Sequence, residues 1–581
     1  MNILEKLGFL KVDILGLNTL SVIRKTLEYI KEPIDLALLD KNDPAVYKLL
    51  SEGDTIGVFQ LEEAGARSIL RKFKPSNFSE IVFVLALIRP GPLQVIDLES
   101  LIRKKEGIER VRYPHPVLEE ILKETYGYPI FQEQAMLIAN KLCGFSFGKA
   151  DILRKAMGKK DMEIMISLRE DFISGAVENG LDKETAEQVF ADISTFASYA
   201  FNKSHSTVYG EISFRTAYLK AHYPIEFLAA TMTSEIGKTD KLKRYILDAQ
   251  RHGIVVTPPD INRSGFEFIP EEGKILYGLG AIKNVGESAV ISIIKEREEN
   301  GKFRDFEDFL ERCMGQKVNK RVVESLIKAG AFEKMDSNRR KLLYILNNSK
   351  IKGKKSPQKG LFQKEDEKID VEPPSEDELR NYEQESLGFY FLTHPMKSYQ
   401  HLIGSVLVSS YHLEDYPDDK LVICGGTIIS SQKKKSKNGG QYYELVLEDL
   451  EGSYRVTMSE TRGDTYRDIL IKTNSIAVKG RVSRFGNKVG VRAEEVYKIE
   501  DIPAILKRAF LIIDVEEMDD KHLEKAHEII SSFKGSLPLF LLFRRREEQL
   551  KLKSLTKVKF DKDLIDTFTR EIGEGKLRFV F

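Results

Sequence analysis

Cysteine is scarce in this 581-residue chain: Cys143, Cys313 and Cys424 stand far apart, with no CxxC pair and no Cys/His cluster. That argues against a disulfide framework and a structural zinc site, and it fits a reducing cytoplasm. Long apolar runs are missing as well. The longest, Ile81–Ile88, has eight residues and stops at Arg89-Pro90-Gly91-Pro92. It is far too short to span a membrane and reads as buried core. The N-terminus lacks a signal-peptide core, so a cytoplasmic protein with no membrane partner is expected. Net charge is nearly absent too: 90 Lys and Arg against 89 Asp and Glu leave +1. Any polyanion must therefore be bound by local patches. What is present is a 42% hydrophobic, 31% charged chain, a folded multidomain protein with length for about four domains.

The strongest local patch lies between Phe145 and Tyr209. From Asn140 to Lys160 there are six basic residues (Lys141, Lys149, Arg154, Lys155, Lys159, Lys160) against one acid, Asp151. Ser146 reads as a helix N-cap, and Phe147, Ile152 and Met157 as a buried stripe. Lys155 and Lys159 then share one face, with Arg154 adjacent. Cations that close repel unless a polyanion such as a triphosphate lies between them. A solvated basic face is the competing reading, and composition leaves both open.

The first segment, Phe9–Leu17, is a strand-like apolar run with Asp13 embedded in it, followed by a helix through Ile30 capped by Asn18 or Thr19. A carboxylate there caps a turn or holds a metal, and read alone the cap is slightly favoured. Asp40 and Asp43, before Pro44, mark a helix start. From about 36 to 257 the chain is mostly helical, interrupted at 57–62, 89–93 and 125–134. Arg89 stands at a Pro-Gly-Pro corner, where a phosphate contact and a structural salt bridge are equally expected. Lys203 and His205 fall in a polar FNKSHS turn before a helix, whose N-terminal amides form an anion pocket. The aromatics of that helix, Tyr209 and Phe214 among them, read mostly as core.

The style then changes. Tyr277–Glu298 reads as a short helix, a Val285-Gly286 hairpin and a second helix capped at Ser288, and Val318–Leu346 repeats the pattern loosely. A paired helix-hairpin-helix places Gly280, Lys283 and Gly286 against a DNA backbone. Two ordinary helical hairpins are the alternative. Residues 349–374 are a charged linker carrying Gln358, Leu361 and Phe362, a short peptide suited to a partner's apolar pocket. Ser375 and Glu378 form a capping box. Five period-two segments from about 406 to 497 suit a small OB-type barrel. Its loop SQKKKSKNGGQYY sets Lys433, Lys434 and Lys435 beside Tyr442, as at a single-strand site. The last segment, from about 505, reads as a small α/β unit with an interaction role.

The ordered motifs KVDILGL, GVFQLE, RPGPL, YGYPIFQEQ, LRKAMGKK, FNKSHS, LKAHYP, PPDIN, YGLGAIKNVGE and QKGLF, followed by the barrel, resemble the bacterial replicative DNA polymerases of family C. The resemblance covers essentially the whole chain and only the C-terminal part of the family protein. It implies a multidomain α+β fold: residues 1–20 the edge of a palm, 21–264 mostly helical fingers, 265–348 tandem helix-hairpin-helix, 349–374 linker, 375–404 helical connector, 405–500 OB-fold and 501–581 a tau-binding-like tail. It turns Asp13 into a catalytic, metal-binding carboxylate, one of three that hold Mg2+ in the family. It makes Arg154, Lys155 and Lys159 the grip on an incoming dNTP, with Lys155 where the family more usually has arginine, and adds Arg89, Lys203 and His205 as nucleotide or template contacts. Gln358, Leu361 and Phe362 match the family's sliding-clamp peptide. The implied partners are a DNA primer-template, dNTPs, the beta sliding clamp, the clamp-loader tau subunit and a separate chain carrying the rest of the palm. DNA-directed nucleotidyl transfer follows as the expected activity, incomplete in this chain alone. The segment VTMSETRGD departs from the family's strand ending in Phe-Pro. A non-catalytic, clamp-tethered DNA-binding adaptor is the alternative.

Overall fold

The computed structural model describes residues 7–9, 12, 16–89, 91–159, 162–197, 199–348, 370–436, 439–485, 488–545, 548–573 and 575–581. They form two compact units. The first comprises the chain up to Ile236 with His252–Thr257 and Phe268–Leu276; the second comprises Gly237–Arg251, Pro258–Glu267 and Tyr277–Phe581. No helix among the described residues is long and apolar enough to cross a membrane.

The first unit is helical, with one small sheet of β1 (Val256–Thr257), β2 (Ile269–Glu271) and β3 (Lys274–Leu276) in the order β1-β3-β2. Helix α1 (Pro44–Ser51) begins where the Asp43 carboxylate accepts the amides of Ala45 and Val46, with Pro44 at the first helical position. The eight-residue apolar run lies in α2 (Phe78–Leu87), which is buried from Glu80 to Leu87. One core gathers Val46, Leu50, Phe73, Phe83 and Phe214 around α2. A second forms between α3 (Gln132–Lys141), α4 (Phe147–Lys159), α5 (Met162–Glu178) and α6 (Lys183–Ala197), with Ile138, Leu153, Phe172 and Phe190 inside. The first core takes in Phe214 and Ala217 of α7 (Lys203–His222), with Phe201 of the preceding segment packed against it.

Three local expectations are corrected. Two residues of the expected stripe on α4 face solvent: Phe147 is 61% and Ile152 50% exposed, while Ala150, Leu153 and Ala156 are buried; the Met157 side chain lies outside the described residues. The core-facing side is Leu153 flanked by the small Ala150 and Ala156, and Phe147 and Ile152 fall on the opposite side. The helix Asn18–Tyr29 starts one residue earlier than expected, from Leu17, without a side-chain cap. Lys203 and His205 lie inside α7 rather than in a turn before it, because the Asn202 side chain accepts the His205 amide and sets the start there.

A buried charge secures α7. Lys220 is fully buried, and its Nζ donates to Asp54 Oδ1 at 2.8 Å and to the Ile56 carbonyl at 3.1 Å. Asp54 Oδ2 lies 2.5 Å from His252 Nε2. Burial pushes the Asp54 carboxyl up, but the His252 hydrogen bond and the Lys220 charge outweigh it and hold it at about 2.

The second unit carries the helical repeats, the barrel and the tail. Its first hairpin opens with a single 3-10 turn, Leu279–Ala281, and then α8 (Glu287–Asn300). The N-cap of α8 is Gly286, not Ser288; Asn284 reverses the chain at φ 66°, so the helix begins directly after the turn. Helices α9 (Lys320–Lys328) and α10 (Arg339–Asn348) form the second, looser pair. The expected capping box of Ser375 and Glu378 opens α11 (Glu376–Ser386). Strands β4 (Leu421–Lys435), β5 (Gln441–Glu448), β6 (Ser453–Ser459), β7 (Ser475–Phe485) and β8 (Lys488–Lys498) close a barrel in the order β4-β5-β6-β8-β7. Helices α12 (Glu460–Thr465) and α13 (Arg467–Lys472) fill the β6–β7 connection. The tail is a sheet of β9 (Arg508–Asp514), β10 (Lys534–Arg545), β11 (Glu548–Val558) and β12 (Leu577–Val580), ordered β11-β10-β9-β12, with α14 (Asp520–Ser532) and α15 (Lys562–Glu571). An α+β multidomain architecture results.

The substitution Asp54→Asn leaves Lys220 buried against a neutral amide and is expected to cost about 3 kcal/mol, measured by urea unfolding. Because the folded carboxyl is depressed, its contribution is complete above the ordinary carboxylate range and lost as pH falls towards about 2. The acid limb of stability against pH should therefore flatten in the variant.

Candidate functional site

Phe131, just before α3, and Phe201, just before α7, pair as an isolated parallel β-bridge. The Gln132 amide donates to the Phe201 carbonyl at 2.9 Å, and the Phe201 amide to the Ile130 carbonyl at 2.9 Å. Side chains reinforce the pairing: Gln132 Nε2 donates to the Ala200 carbonyl at 3.2 Å, and Asn202 Nδ2 to Glu133 Oε1 at 2.7 Å.

Four of the expected cationic positions converge on this bridge. The Arg89 guanidinium lies 3.5 Å from the Phe201 ring centroid, and among the described residues no carboxylate is paired with it. Desolvation lowers its pKa, yet a guanidinium stays charged. Gly91 fixes the same corner, because a Cβ there would sit 2.0 Å from the Tyr199 ring. His205 meets Phe201 edge-on at 5.2 Å and stacks on Tyr209 at 4.2 Å. Lys203 Nζ donates to Glu124 at 2.7 Å and lies 5.9 Å from the Phe131 ring. Arg154 reaches across from α4, with Nη1 3.2 Å from Gln132 Oε1. Lys155 follows it at 60% side-chain exposure. Lys159 is on the same helix, but its side chain lies outside the described residues, as do Asp13, Gln358, Leu361 and Phe362.

The positive density is less naked than its composition implies. Lys141 pairs with Glu120, and Lys149 with Asp171 at 2.6 Å. Asp151 bridges Arg154 at 2.8 Å and Lys155 at 2.7 Å. Hydrogen bonds from Lys155 and then Arg154 hold its carboxyl below the ordinary range. The α7 N-terminus is likewise occupied from within: the Lys203 amide donates to Glu133 Oε2 at 2.8 Å and the His205 amide to Asn202 at 2.8 Å. Mutual repulsion of Arg154 and Lys155 is thus relieved by an internal acid. Gln132, Glu133, Glu124 and Phe201 were not singled out in the sequence; the QEQ that follows YGYPIF was the signal for the first two, and the FNKSHS motif for Phe201.

The positions expected to contact DNA behave unequally. Gly280 packs under the Phe266 ring, where a Cβ would come within 2.4 Å, whereas a Cβ on Gly286 would meet open space. The Lys283 amide donates to the Ser386 carbonyl at 2.8 Å and its Nζ to the Gln384 carbonyl at 3.2 Å, so it also caps α11. Lys433, Lys434 and Lys435 belong to β4 rather than a loop, in register with Tyr443, Tyr442 and Gln441. Lys433 pairs with Glu460 at 2.7 Å and Lys434 with Glu444 at 2.5 Å, while Lys435 is exposed. Tyr443 is packed under α12, against Gly463.

The geometry defines a helical unit with basic side chains gathered on a β-bridge, followed in the chain by helical hairpins. Sequence comparison specifies it. The family model for the bacterial DNA polymerase III alpha subunit finger domain matches residues 19–180, and that for the helix-hairpin-helix motif matches residues 253–342. The DNA polymerase III subunit alpha of Thermus aquaticus is 38% identical over 566 residues, covering 93% of this chain and 46% of the relative. That of Aquifex aeolicus is 41% identical over 483 residues, covering 82% and 41%. That of Escherichia coli K12 is 33% identical over 586 residues, covering 94% and 50%. The chain is thus similar to the bacterial DNA polymerase III alpha subunits and spans about half the length of these relatives.

If Asp151 restrains the cations, Asp151→Asn should strengthen binding of inorganic tripolyphosphate about fivefold, and Arg154→Ala should weaken it comparably. Titration calorimetry at low and moderate salt checks both.

Proposed function

We propose that this chain is the nucleotide-gripping, DNA-contacting portion of a replicative DNA-directed DNA polymerase. The reading is carried by the convergence of Arg89, Arg154, Lys203 and His205 on the Phe131–Phe201 bridge. The finger-domain match over residues 19–180 and the names of the relatives support it.

In this reading Arg154, Lys155 and Lys159 hold the triphosphate of an incoming dNTP and neutralise charge on the departing pyrophosphate. Arg89 stands at the rigid corner opposite, and Lys203 and His205 contact nucleotide or template. The ligand's phosphates take over cations now held by Asp151 and Glu124, so binding exchanges one set of ion pairs for another. Asp13 is the catalytic carboxylate; its hard oxygen suits Mg2+, which when bound stabilises charge on the reacting phosphate. Such a site needs further convergent carboxylates beside Asp13. Gly286, with its open α8 N-terminus, and Lys283 approach the DNA backbone, and an OB-type barrel presents Lys433, Lys434, Lys435 and Tyr442 to single-stranded template. Gln358, Leu361 and Phe362 dock on the beta sliding clamp, and the tail engages the clamp-loader tau subunit. The protein acts in the cytoplasm.

Primer extension with Mg2+ and dNTPs tests this in three tubes: the chain alone, the chain with a fragment carrying the other palm carboxylates, and that mixture with Asp13→Ala. Extension is expected in the complete mixture and lost with Asp13→Ala. Arg154→Ala there should raise the KM for dNTP about tenfold. Silence throughout, with DNA binding retained, would replace the polymerase by a clamp-tethered adaptor. Separately, Leu361→Ala with Phe362→Ala should abolish clamp pull-down and leave DNA binding intact; persistent pull-down moves the clamp site elsewhere.

A further inference from the structure

The tail sheet presents two unlike faces. Ala509, Leu511, Ile513, Leu539, Leu577 and Phe579 point into a core shared with Ala526, Ile530, Leu564 and Phe568 of α14 and α15. Alternation along each strand sends the intervening residues to the other side. There the register reads straight across all four strands: Lys553 opposite Phe540, Phe540 opposite Phe510, Phe510 opposite Arg578. Two aromatic rings on the central strands are thus flanked by a cation on each edge strand. The rings of Phe510 and Phe540 stack at 5.5 Å. Lys551 Nζ sits over both, 4.8 Å from Phe510 and 4.5 Å from Phe540, and the Arg508 guanidinium is 5.7 Å from Phe510.

Charge on this face is unbalanced. Arg508, Lys551 and Lys553 are exposed, and among the described residues none is paired with a carboxylate. Arg578 donates to the Gly575 carbonyl and the Tyr416 hydroxyl. The acid on this side, Asp514, is bound by Lys576. Near the adjoining ends of β10 and β11 a concavity of about 520 Å3 is lined by Arg544, Arg545 and Gln549 together with the apolar Val515, Phe543 and Leu550, and Arg544 Nε is buried with no hydrogen-bond partner among the described residues.

We propose that the half-buried Phe510–Phe540 patch of this face, with the exposed cations around it, is a binding platform for single-stranded nucleic acid. Its bases stack on Phe540 and Phe510 in place of the Lys551 ammonium, and its phosphates are met by Lys551, Lys553, Arg508 and Arg544. Unstacked bases supply π-faces for the rings, which a duplex withholds, and the backbone supplies the charge that the face lacks. A second copy of the chain fits poorly, since a two-fold contact would oppose the same cations. The proposal does not depend on the polymerase reading.

Photo-crosslinking with the full chain tests it, using an oligothymidylate carrying iododeoxyuridine and a matching oligouridylate carrying iodouridine, with adducts mapped by peptide mass. Adducts on peptides containing Phe510 or Phe540 are expected. The Lys551→Glu, Lys553→Glu double variant should cut their yield at least about fivefold while adducts elsewhere persist, and Phe540→Leu, which keeps an apolar side chain, should do the same. The ratio between the two oligonucleotides says which strand chemistry is preferred. Adducts confined to other segments, or a yield that neither variant changes, would overturn the platform. So would polyglutamate displacing the adducts as well as unlabelled oligothymidylate does, which would assign the face to acidic protein segments.

Discussion

Two backbone hydrogen bonds between Ile130–Gln132 and Phe201 hold the candidate site in register. Each is worth only about 1 kcal/mol net, but their leverage is geometric. Arg89 follows α2, Arg154 rides on α4, and Lys203 and His205 open α7. These elements belong to two separate cores, so nothing in their packing alone fixes the distances between the charges. The bridge joins the start of α3 to the start of α7 and supplies the Phe201 ring on which Arg89 and His205 rest. Gln132 adds the link to Arg154.

The second constraint is charge. A cluster of bare cations would oppose folding, and the structure resolves this with one acid on the same helix and others drawn from separate elements. Asp151 serves Arg154 and Lys155, Glu124 serves Lys203, and Glu133 occupies the α7 amide. A polyphosphate entering such a site replaces carboxylates rather than filling an empty positive well. Net affinity is then a difference between two sets of ion pairs, which keeps it moderate and makes it steep in salt.

Much of the fold was legible because caps and periodicity are local. The Asp43-Pro44 start, the Ser375 capping box, the buried run of α2 and all five barrel strands follow from residues within a few positions of one another. The errors share a cause. Periodicity told which residues of α4 lie together but not which side packs, so Phe147 and Ile152 were placed inside when Ala150, Leu153 and Ala156 are. The six-to-one charge count around Arg154 was right as sequence, yet Glu120 and Asp171 reach two of its lysines from other helices. Convergence on the Phe131–Phe201 bridge was invisible for the same reason: it is a pairing between segments, not a pattern within one.

That distinction also reorders the two β-rich surfaces. By composition the barrel hairpin, with its lysines beside two tyrosines, was the place for single-strand chemistry, and the tail showed none. In three dimensions Lys433 and Lys434 are already paired, and Tyr443 is wedged against Gly463. In the tail, Phe510, Phe540, Lys551 and Lys553 come from three strands and meet only through register. No window of sequence contains them together. A run of lysines advertises charge, but a ligand responds to charge left unsatisfied after folding. By that criterion Lys551, Lys553 and Arg508 are the more available cations, and the sheet face they border carries the stronger physical case for an anionic, base-bearing ligand.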